Sequence, residues 1–386
     1  MKRILIIGAD RVMPKLFYFA RHLRALDIGY TVYTHDSDDT ARTYAAQAGA
    51  VLEPGPAHKR SVRRMLHDLR MLWQLTGRTR FAHAEMYSDY HILASLGYFL
   101  VLRLRGIPVV LWCRGELYYW PSFRWWQRFY FHWVIPRAKL VILKETYMRD
   151  TLAQAGIHVR DNILELHNTI PLPSHFEVRS CERPVRLLFM NMFKPWRNVW
   201  FCAEVAAELD RRGIDFTMSV VGDKAASEGL ADEGQKLRES IAKYGLQERV
   251  SVHPFSSETE GHLRIGDVFL LPADLIYCNY ALLEAMSHGL IPVVNSADAD
   301  HARIVDHGIN GFGLPLDAVA WRMRSLYSSK TGTRRKRCRK LRASALRMTT
   351  QLSKRLGVTT QPPASAPSWP LALVMLHAEP AAPSMP

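Results

Sequence analysis

Cations and a carboxylate follow two of the apolar runs in the second half of the chain. Lys194 and Arg197 come shortly after the run Arg186–Met190, and Glu284 lies one turn into a predicted helix beyond the run Val268–Leu271. A carboxylate near a helix start can accept hydrogen bonds from ribose hydroxyls, while the helix start itself can bind a diphosphate. The helix that carries Glu284 therefore predicts a nucleoside-diphosphate site.

The start of the predicted helix supplies a second group of candidate ligands, because the first-turn amides of a helix can bind an anion. These amides belong to Asn279, Tyr280, Ala281 and Leu282. Two alternatives remain open from the residues alone. Glu284 also fits a carboxylate that complements the helix dipole. Lys194 and Arg197 also fit ordinary solvated cations of a loop.

Short apolar runs alternate with helical patterns in both halves of the chain. The first half has predicted strands at Ile4–Ile7, Thr31–Thr34, Val109–Cys113 and Leu140–Leu143, with helices near Lys15–Leu26 and Lys59–Leu75. The second half repeats the alternation from Arg186–Met190 to Ile291–Val294. This pattern predicts an α/β chain of two Rossmann-like domains that face a central cleft.

Proline and charge patterns suggest where the domains end. The segment 171–184 contains three prolines and few apolar residues, which predicts a linker between a first domain at 1–170 and a second at 185–330. The residues 331–360 form a predicted basic helical segment, and the Pro-, Ala- and Ser-rich residues 361–386 predict a disordered tail.

Composition limits the partners and the compartment. The formal charge of +15 over 386 residues indicates an anionic partner, and nucleic acid, acidic phospholipid and a phosphorylated substrate all fit it. The five cysteines show no CxxC spacing, so we expect no zinc site, no disulfide framework and a reduced cytoplasmic setting. Arg103 and Arg105 interrupt the longest apolar stretch, so no membrane-spanning helix is predicted.

Two motifs resemble a known family. Residues 283–294 read Leu-Glu-Ala-Met-Ser-His-Gly-Leu-Ile-Pro-Val-Val, and residues 308–312 read Gly-Ile-Asn-Gly-Phe. Both resemble the C-terminal signature of the retaining GT-B glycosyltransferases called group 1 or family 4. The likeness extends upstream through residues 219–223 and 244–252 to cover roughly 185–315. In the first half of the chain it is architectural only.

The resemblance assigns roles to residues of the signature. Glu284 corresponds to the second glutamate of the family's pair, which contacts the ribose, and Gly222 with Asp223 resembles the strand-Gly-Asp element on the donor side. The first glutamate, which lies against the transferred sugar, falls at Ile276. Because isoleucine cannot replace its hydrogen bonds, Asp274 is the candidate substitute.

The segment Met190–Asn198 resembles the family's cationic loop. Arg197 falls at the family's lysine, while Met192 falls where the family has arginine, so Lys194 is the candidate for the second cation. The implied activity is sugar transfer from a nucleotide sugar to a glycan or lipid-linked acceptor, with retention, in envelope polysaccharide synthesis. It implies neither a metal nor another cofactor. A catalytically silent binding subunit and a sugar-nucleotide epimerase are the alternatives.

The first domain offers fewer chemical signals. Its turn Gly8-Ala9-Asp10 lacks the GxGxxG spacing, so no dinucleotide cofactor is predicted. Arg114 follows the strand after which the family often has a histidine, and it is a candidate for contact with donor phosphates or acceptor. Glu116 is a candidate base. An ion pair between Arg114 and Glu116 is an equally good interpretation.

Aromatic residues and arginines are interleaved in the segment Leu117–Lys139. Such a mixture is typical of an element at a membrane interface, where rings lie at headgroup level and arginines meet lipid phosphates. Binding of single-stranded nucleic acid and packing as a core helix are the alternatives. We expect peripheral contact with an anionic membrane and no nucleic-acid partner. The predicted contact residues are Trp120, Arg124, Trp125, Trp126 and Arg128.

Overall fold

The computed structural model describes residues 2–7, 27–34, 42–43, 45–46, 49–54, 62–87, 92–113, 115–145, 147–157, 162–166, 168, 170, 184–223, 232–256, 259–276, 279–297, 301–302 and 304–322. Several predictions from the sequence lie outside these residues. They are the helix near Lys15–Leu26, the turn at Gly8–Asp10, Arg114, nearly all of the linker 171–184, the basic segment 331–360 and the tail 361–386.

The chain divides into two compact units, Met1–His167 and Asn168–Pro386. The sequence had predicted the end of the first domain at residue 170. The first unit contains a parallel sheet of seven strands in the order β3-β2-β1-β4-β5-β6-β7. Its strands are β1 (Lys2–Ile7), β2 (Ile28–Thr34), β3 (Val51–Pro54), β4 (His83–Tyr87), β5 (Val109–Cys113), β6 (Leu140–Leu143) and β7 (Ile163–Glu165).

Helices of the first unit cover one face of this sheet. They are α1 (Val62–Arg78), α2 (Ile92–Leu104), α3 (Trp125–Val134) and α4 (Tyr147–Gln154). Their buried side chains share one apolar cluster with alternate strand residues such as Leu5, Met86 and Leu111. The central strands are nearly continuous apolar runs because a parallel sheet is buried on both faces.

The second unit contains a parallel sheet of six strands in the order β10-β9-β8-β11-β12-β13. The strands are β8 (Val185–Met190), β9 (Phe216–Asp223), β10 (Val250–Pro254), β11 (Val268–Leu271), β12 (Ile291–Asn295) and β13 (Phe312–Leu314). The helices are α5 (Phe201–Arg211), α6 (Glu233–Lys243), α7 (Glu260–Ile265) and α8 (Tyr280–Ser287). Alternate residues of β8 enter two apolar clusters, one on each face of the sheet.

Both sheets reverse their strand order next to their first strand. In the second unit β8 lies between β9 and β11, so the chain leaves β8 in one direction and returns on its other side. The carboxyl ends of β8 and β11 are therefore neighbours at a topological switch point, where ligands of open α/β sheets bind. The predicted α/β class with two Rossmann-like domains is confirmed. Within the described part of the chain, no helix has the length and apolar character needed to cross a bilayer.

Candidate functional site

The loop after β8 is held by a close backbone approach at Gly222. Gly222 has a φ of 128°, and a Cβ atom added there would lie 1.8 Å from the carbonyl oxygen of Asn191. The Phe193 amide donates to the Gly222 carbonyl at 3.3 Å, and the Met192 amide donates to Asn191 Oδ1 at 3.0 Å. Glycine at position 222 thus lets the ends of β8 and β9 meet. This contact fixes where the loop begins.

The two candidate cations lie in the next turn of the same loop. Lys194 precedes the short 3-10 turn Pro195–Arg197, and the Arg197 amide donates to the Lys194 carbonyl at 2.8 Å. Asn198 closes the turn with a φ of 50°, in the left-handed region that asparagine tolerates better than most residues. The turn therefore presents Lys194 and Arg197 together at the carboxyl end of β8.

Hydrogen bonds join this turn to the loop that follows β11. The Asn198 side-chain amide donates to the Pro272 carbonyl at 3.0 Å and to Asp274 Oδ1 at 2.6 Å. Arg197 Nη1 donates to the Leu275 carbonyl at 3.3 Å, and the Asp274 amide donates to the Trp196 carbonyl at 3.0 Å. Four bonds thus bring Arg197 and Asp274, both predicted site residues, to one place.

Ile276 has a structural role at the position where the resemblance places the family's first glutamate. Its side chain is 1% exposed and lies in the same apolar cluster as Leu283 and Met286 of α8. An ionised carboxylate in that cluster would pay a large desolvation cost. By contrast, Asp274 is exposed two residues earlier in the same loop.

The start of α8 corrects the prediction of available amides. Asn279 is the N-cap residue, and its side-chain oxygen accepts from the amides of Ala281 at 2.9 Å and Leu282 at 3.3 Å. Asparagine is a preferred N-cap because its side chain satisfies these donors. Ala281 and Leu282 are therefore already bonded, and an anion bound to their amides would have to displace the Asn279 cap. Tyr280 begins the helix, half-buried.

Glu284 lies on α8, one turn from the helix start, and its side chain is half-buried. Its backbone carbonyl accepts from the Ser287 hydroxyl at 2.7 Å and from the His288 amide at 3.1 Å, so the end of the helix is well bonded. The loop from β11 leads directly into α8. Glu284 is thus carried by the element that follows the Asp274 loop.

Asp223 makes contacts that hold β9 to α6. Its carboxylate pairs with Arg238, and its Oδ1 would lie 2.5 Å from a Cβ atom added at Gly234. The Phe255 amide donates to the Asp223 carbonyl at 2.8 Å. These contacts give Asp223 a positioning role at the carboxyl edge of the sheet. The sequence showed its motif but not its partner Arg238.

The structure separates the predicted membrane-contact residues into two groups. Trp125 is 79% exposed, and Arg124 and Arg128 are exposed beside it. Trp126 and Trp120 are half-buried and pack against the core of the first unit. The Trp120 ring lies 5.8 Å from the Phe123 ring and 6.1 Å from the Phe131 ring, between ring centroids. Trp120 and Trp126 are thus packing residues.

The structure does not describe the side chains of the two candidate residues that follow β5. Arg114 and the Glu116 side chain lie outside the described part of the chain. Among the residues that the structure describes, no group of three or more His, Cys, Asp or Glu side chains is arranged to hold a metal ion.

Comparisons with known proteins give a family match in the second half of the chain. Residues 184–329 match the sequence model of the family described as Glycosyl transferases group 1. No curated protein matches the chain.

Solved structures match nearly the whole chain. A glycosyltransferase from Rickettsia africae ESF-5 superposes with a TM-score of 0.71 at 12% identity, covering 92% of this chain and 97% of that one. Anabaena Alr3699/HepE in complex with UDP and glucose superposes with a TM-score of 0.72 at 15% identity, covering 91% and 95%.

The apo form of the lipopolysaccharide outer core galactosyltransferase WaaB superposes with a TM-score of 0.64 at 14% identity, covering 92% of this chain and 99% of that one. At such low identities the superpositions show a common fold, while the family match is limited to residues 184–329. The two units of this chain therefore have the fold of the GT-B glycosyltransferases, and residues 184–329, in the second unit, are similar to the group 1 glycosyltransferases.

Proposed function

We propose that this chain transfers a sugar from a nucleotide-sugar donor to a glycan or lipid-linked acceptor. One observation carries the proposal: the loop with Lys194 and Arg197 is hydrogen-bonded to the loop with Asp274 at the switch point of the second sheet. Ligands of open α/β sheets bind at such a point. The UDP and glucose of the Anabaena neighbour supply the chemical class of donor.

Each side chain has a role in this reaction. As the bond between the anomeric carbon and the diphosphate breaks, negative charge grows on the leaving oxygen, and Arg197 with Lys194 stabilises it. Glu284 accepts hydrogen bonds from the ribose. Asp274 is exposed while one of its oxygens accepts from Asn198, so its carboxylate can also meet the transferred sugar. We propose transfer with retention, as the family resemblance implies.

Two groups of predicted donor ligands take revised roles. The amides of Ala281 and Leu282 serve the Asn279 cap in this structure, so the diphosphate depends on Lys194 and Arg197. Gly222 and Asp223 act indirectly, because they hold the ends of the strands from which the loops start.

The setting of the reaction is also part of the proposal. Protein cations take the place that a metal would have at the diphosphate, so transfer should proceed without added metal. The name of the WaaB neighbour supports an acceptor of the cell envelope. A cytoplasmic location matches the supply of nucleotide sugars.

The test is a donor screen with the purified chain. UDP- and GDP-sugars are incubated with it, and release of nucleotide and transfer of sugar are measured with and without EDTA. NMR of the product determines the anomeric configuration and so tests retention. Binding of UDP and GDP is measured separately by calorimetry.

Two variants assign the roles, and a third is the control. Arg197→Ala should lower kcat by about 100-fold with a smaller change in KM, since its partner charge is largest in the transition state. Glu284→Ala should weaken nucleotide binding about tenfold or more, since a hydrogen bond to a charged group contributes about 1.5–3 kcal/mol. Glu260→Ala removes an exposed glutamate of α7 in the same unit and should change neither quantity.

The outcomes separate the alternatives. Nucleotide binding without turnover on any donor would identify a catalytically silent binding subunit. Conversion of one nucleotide sugar into another would identify an epimerase. Unchanged nucleotide affinity in Glu284→Ala would remove this residue from the site.

A further inference from the structure

Three neighbouring helices of the first unit form one continuous surface. α1 packs against α2, and α2 packs against α3. Their inner residues, such as Leu72, Phe99 and Phe131, enter the same apolar cluster on one face of the sheet. The outer faces of α1, α2 and α3 consequently form one layer, which we call the basic helical face.

The charge of the basic helical face has one sign. The three helices contain Asp68 as their only acidic residue. Asp68 is buried and accepts hydrogen bonds from the hydroxyls of Tyr33 and Tyr98, so it adds no negative charge to the surface. The arginines of the three helices are Arg63, Arg64, Arg70, Arg78, Arg103 and Arg128.

Apolar side chains are exposed among these arginines. On α3 the residues Trp125, Arg128, Phe129 and His132 follow one another at helical spacing and are all exposed, with Phe129 at 51%. On α2 the side chain of Leu104 is 75% exposed beside Arg103. On α1 the exposed apolar residues are Val62, Leu66 and Trp73.

We propose that the basic helical face docks on an anionic lipid bilayer. Exposed aromatic and aliphatic side chains can enter the headgroup region, while interleaved arginines meet lipid phosphates. Charge complementarity selects this partner, because the face has arginines on every helix and no exposed acid. A second copy of the same face would bring arginine against arginine. A nucleic acid would match the arginines but would leave Leu66 and Leu104 without an apolar environment.

The docking surface is larger than the segment that the sequence suggested. It includes α1 and α2, and it uses Trp125 with Phe129 in place of Trp120 and Trp126. The inference goes beyond the proposed function, because the surface lies in the first unit and needs no nucleotide. Vesicle binding can therefore succeed or fail independently of sugar transfer.

The experiment uses the full chain without nucleotide. Its binding to vesicles of phosphatidylcholine, with and without phosphatidylglycerol, is measured by co-sedimentation at low and high salt. We expect binding only where phosphatidylglycerol is present, and weaker binding at high salt because salt screens the arginine–phosphate attraction.

Two double variants test the two components of the surface. Trp125→Ser with Phe129→Ser removes the apolar component on α3. Arg70→Glu with Arg103→Glu reverses the charge on α1 and α2. Each should lower the partition coefficient by about tenfold or more, because each double variant removes or reverses the attraction of two side chains to the anionic surface.

Matched controls place the same changes on the second unit. Phe255→Ser removes an exposed aromatic side chain, and Lys243→Glu with Arg264→Glu reverses two exposed charges. All should bind vesicles as the unaltered chain does. Thermal melting checks that each variant folds, and Leu104→Gln is the alternative variant if the α3 double variant does not fold.

Four results would overturn the proposal. The first is an unaltered chain that ignores anionic vesicles. The second is that the folded surface variants bind as well as the controls. The third is tighter binding to a single-stranded oligonucleotide than to vesicles, lost in the same variants. The fourth is self-association through this face, seen as a concentration-dependent mass that the variants abolish.

Discussion

Arginines of the second unit and arginines of the basic helical face have different partners. In the second unit, Arg186 makes two hydrogen bonds of 3.1 Å to the buried carboxylate of Asp267, Arg238 pairs with Asp223, and Arg249 lies 3.3 Å from Asp210. Among the described residues, no salt bridge joins an arginine of α1, α2 or α3 to an acid. The positive charge of these arginines is thus balanced by nearby acids in the second unit, and it is not balanced in this way on the basic helical face of the first unit.

Arginines around the basic helical face contact carbonyl oxygens and rings instead. Arg128 donates to the Pro121 carbonyl at 3.2 Å and lies 5.8 Å from the Trp120 ring centroid. Arg105 donates to the Trp73 carbonyl at 2.9 Å with its guanidinium 3.7 Å from the ring centroid. Such contacts fix a side chain without neutralising it. The two regions therefore differ in how arginines are held: carboxylates pair with them in the second unit, whereas carbonyl oxygens and rings contact them around the basic helical face.

Among the substitutions that test this comparison of the two units, the largest loss of unfolding free energy is expected at Gly222. Gly222→Ala forces a Cβ atom onto the Asn191 carbonyl, which is backbone and cannot move aside, in addition to the strain of a positive φ. We expect a loss of more than about 3 kcal/mol of unfolding free energy. Urea unfolding monitored by circular dichroism measures it.

Gly245→Ala is the matched control for this substitution. Gly245 has a φ of 66°, but nothing lies within 4 Å of an added Cβ atom. Gly245→Ala should lower the unfolding free energy by only about 1–2 kcal/mol, because of backbone strain. Equal losses at both positions would show that the close approach at Gly222 does not hold the loop.

Asn198 should have the next largest effect, because it joins the two loops of the candidate site. Asn198→Ala removes both side-chain hydrogen bonds and disfavours the left-handed conformation, which should cost about 2–3 kcal/mol. Asn198→Gly keeps the conformation and loses only the hydrogen bonds. Equal stability of the two variants would show that the left-handed conformation contributes nothing to the loss in Asn198→Ala. If neither variant is destabilised, other contacts hold the two loops together.

Much of the fold was predictable because buried strands of a parallel sheet are apolar throughout. The predicted bounds of β5, β6 and β11 agree with the structure for that reason. β4 was missed because His83 and Glu85 interrupt its apolar pattern although both are buried. The Tyr30 hydroxyl on β2, which is separated from β4 by β1, donates to Glu85 at 3.3 Å. A partner so distant in sequence gives no local signal.

The candidate site was predictable where a motif is contiguous. Lys194 and Arg197 follow β8, and Glu284 lies on α8 beyond β11, as their motifs predicted, while their roles as ligands stay predictions. The link through Asn198 was not predictable, since its bonds to Pro272 and Asp274 span more than seventy residues of sequence. The surface of α3 also required the structure, because the position at which the helix begins decides which of two adjacent tryptophans faces outwards.

A smaller effect on stability is expected from the paired charges of the second unit. Arg211 donates to both oxygens of Glu208, at 2.9 and 3.0 Å, and Arg212 pairs with it as well. The hydrogen bonds from Arg211, opposed by burial and assisted by Arg212, lower the pKa of Glu208. Because the folded state then binds fewer protons, this stabilisation is complete above the unfolded pKa of about 4.3 and is lost as the pH falls through the folded value.

Glu208→Gln should therefore make stability less dependent on pH in the acid range. Urea unfolding over a pH series measures the slope. Glu239→Gln, at an exposed glutamate of α6, is the control and should keep the slope of the unaltered chain. A Glu208→Gln chain with an unchanged acid slope would show that the pairs with Arg211 and Arg212 do not stabilise the fold.

The smallest effect is expected at Trp125, and it is the sharpest test of the basic helical face. A side chain that is 79% exposed contributes little packing, so Trp125→Ser should change the unfolding free energy by less than about 0.5 kcal/mol. Its neighbour Trp126 packs against the core, and Trp126→Ser should cost about 2 kcal/mol or more. Both substitutions remove the same atoms from the same helix turn, so helix propensity cancels in the comparison. Equal destabilisation would mean that Trp125 is covered in the folded chain and is not available to a membrane.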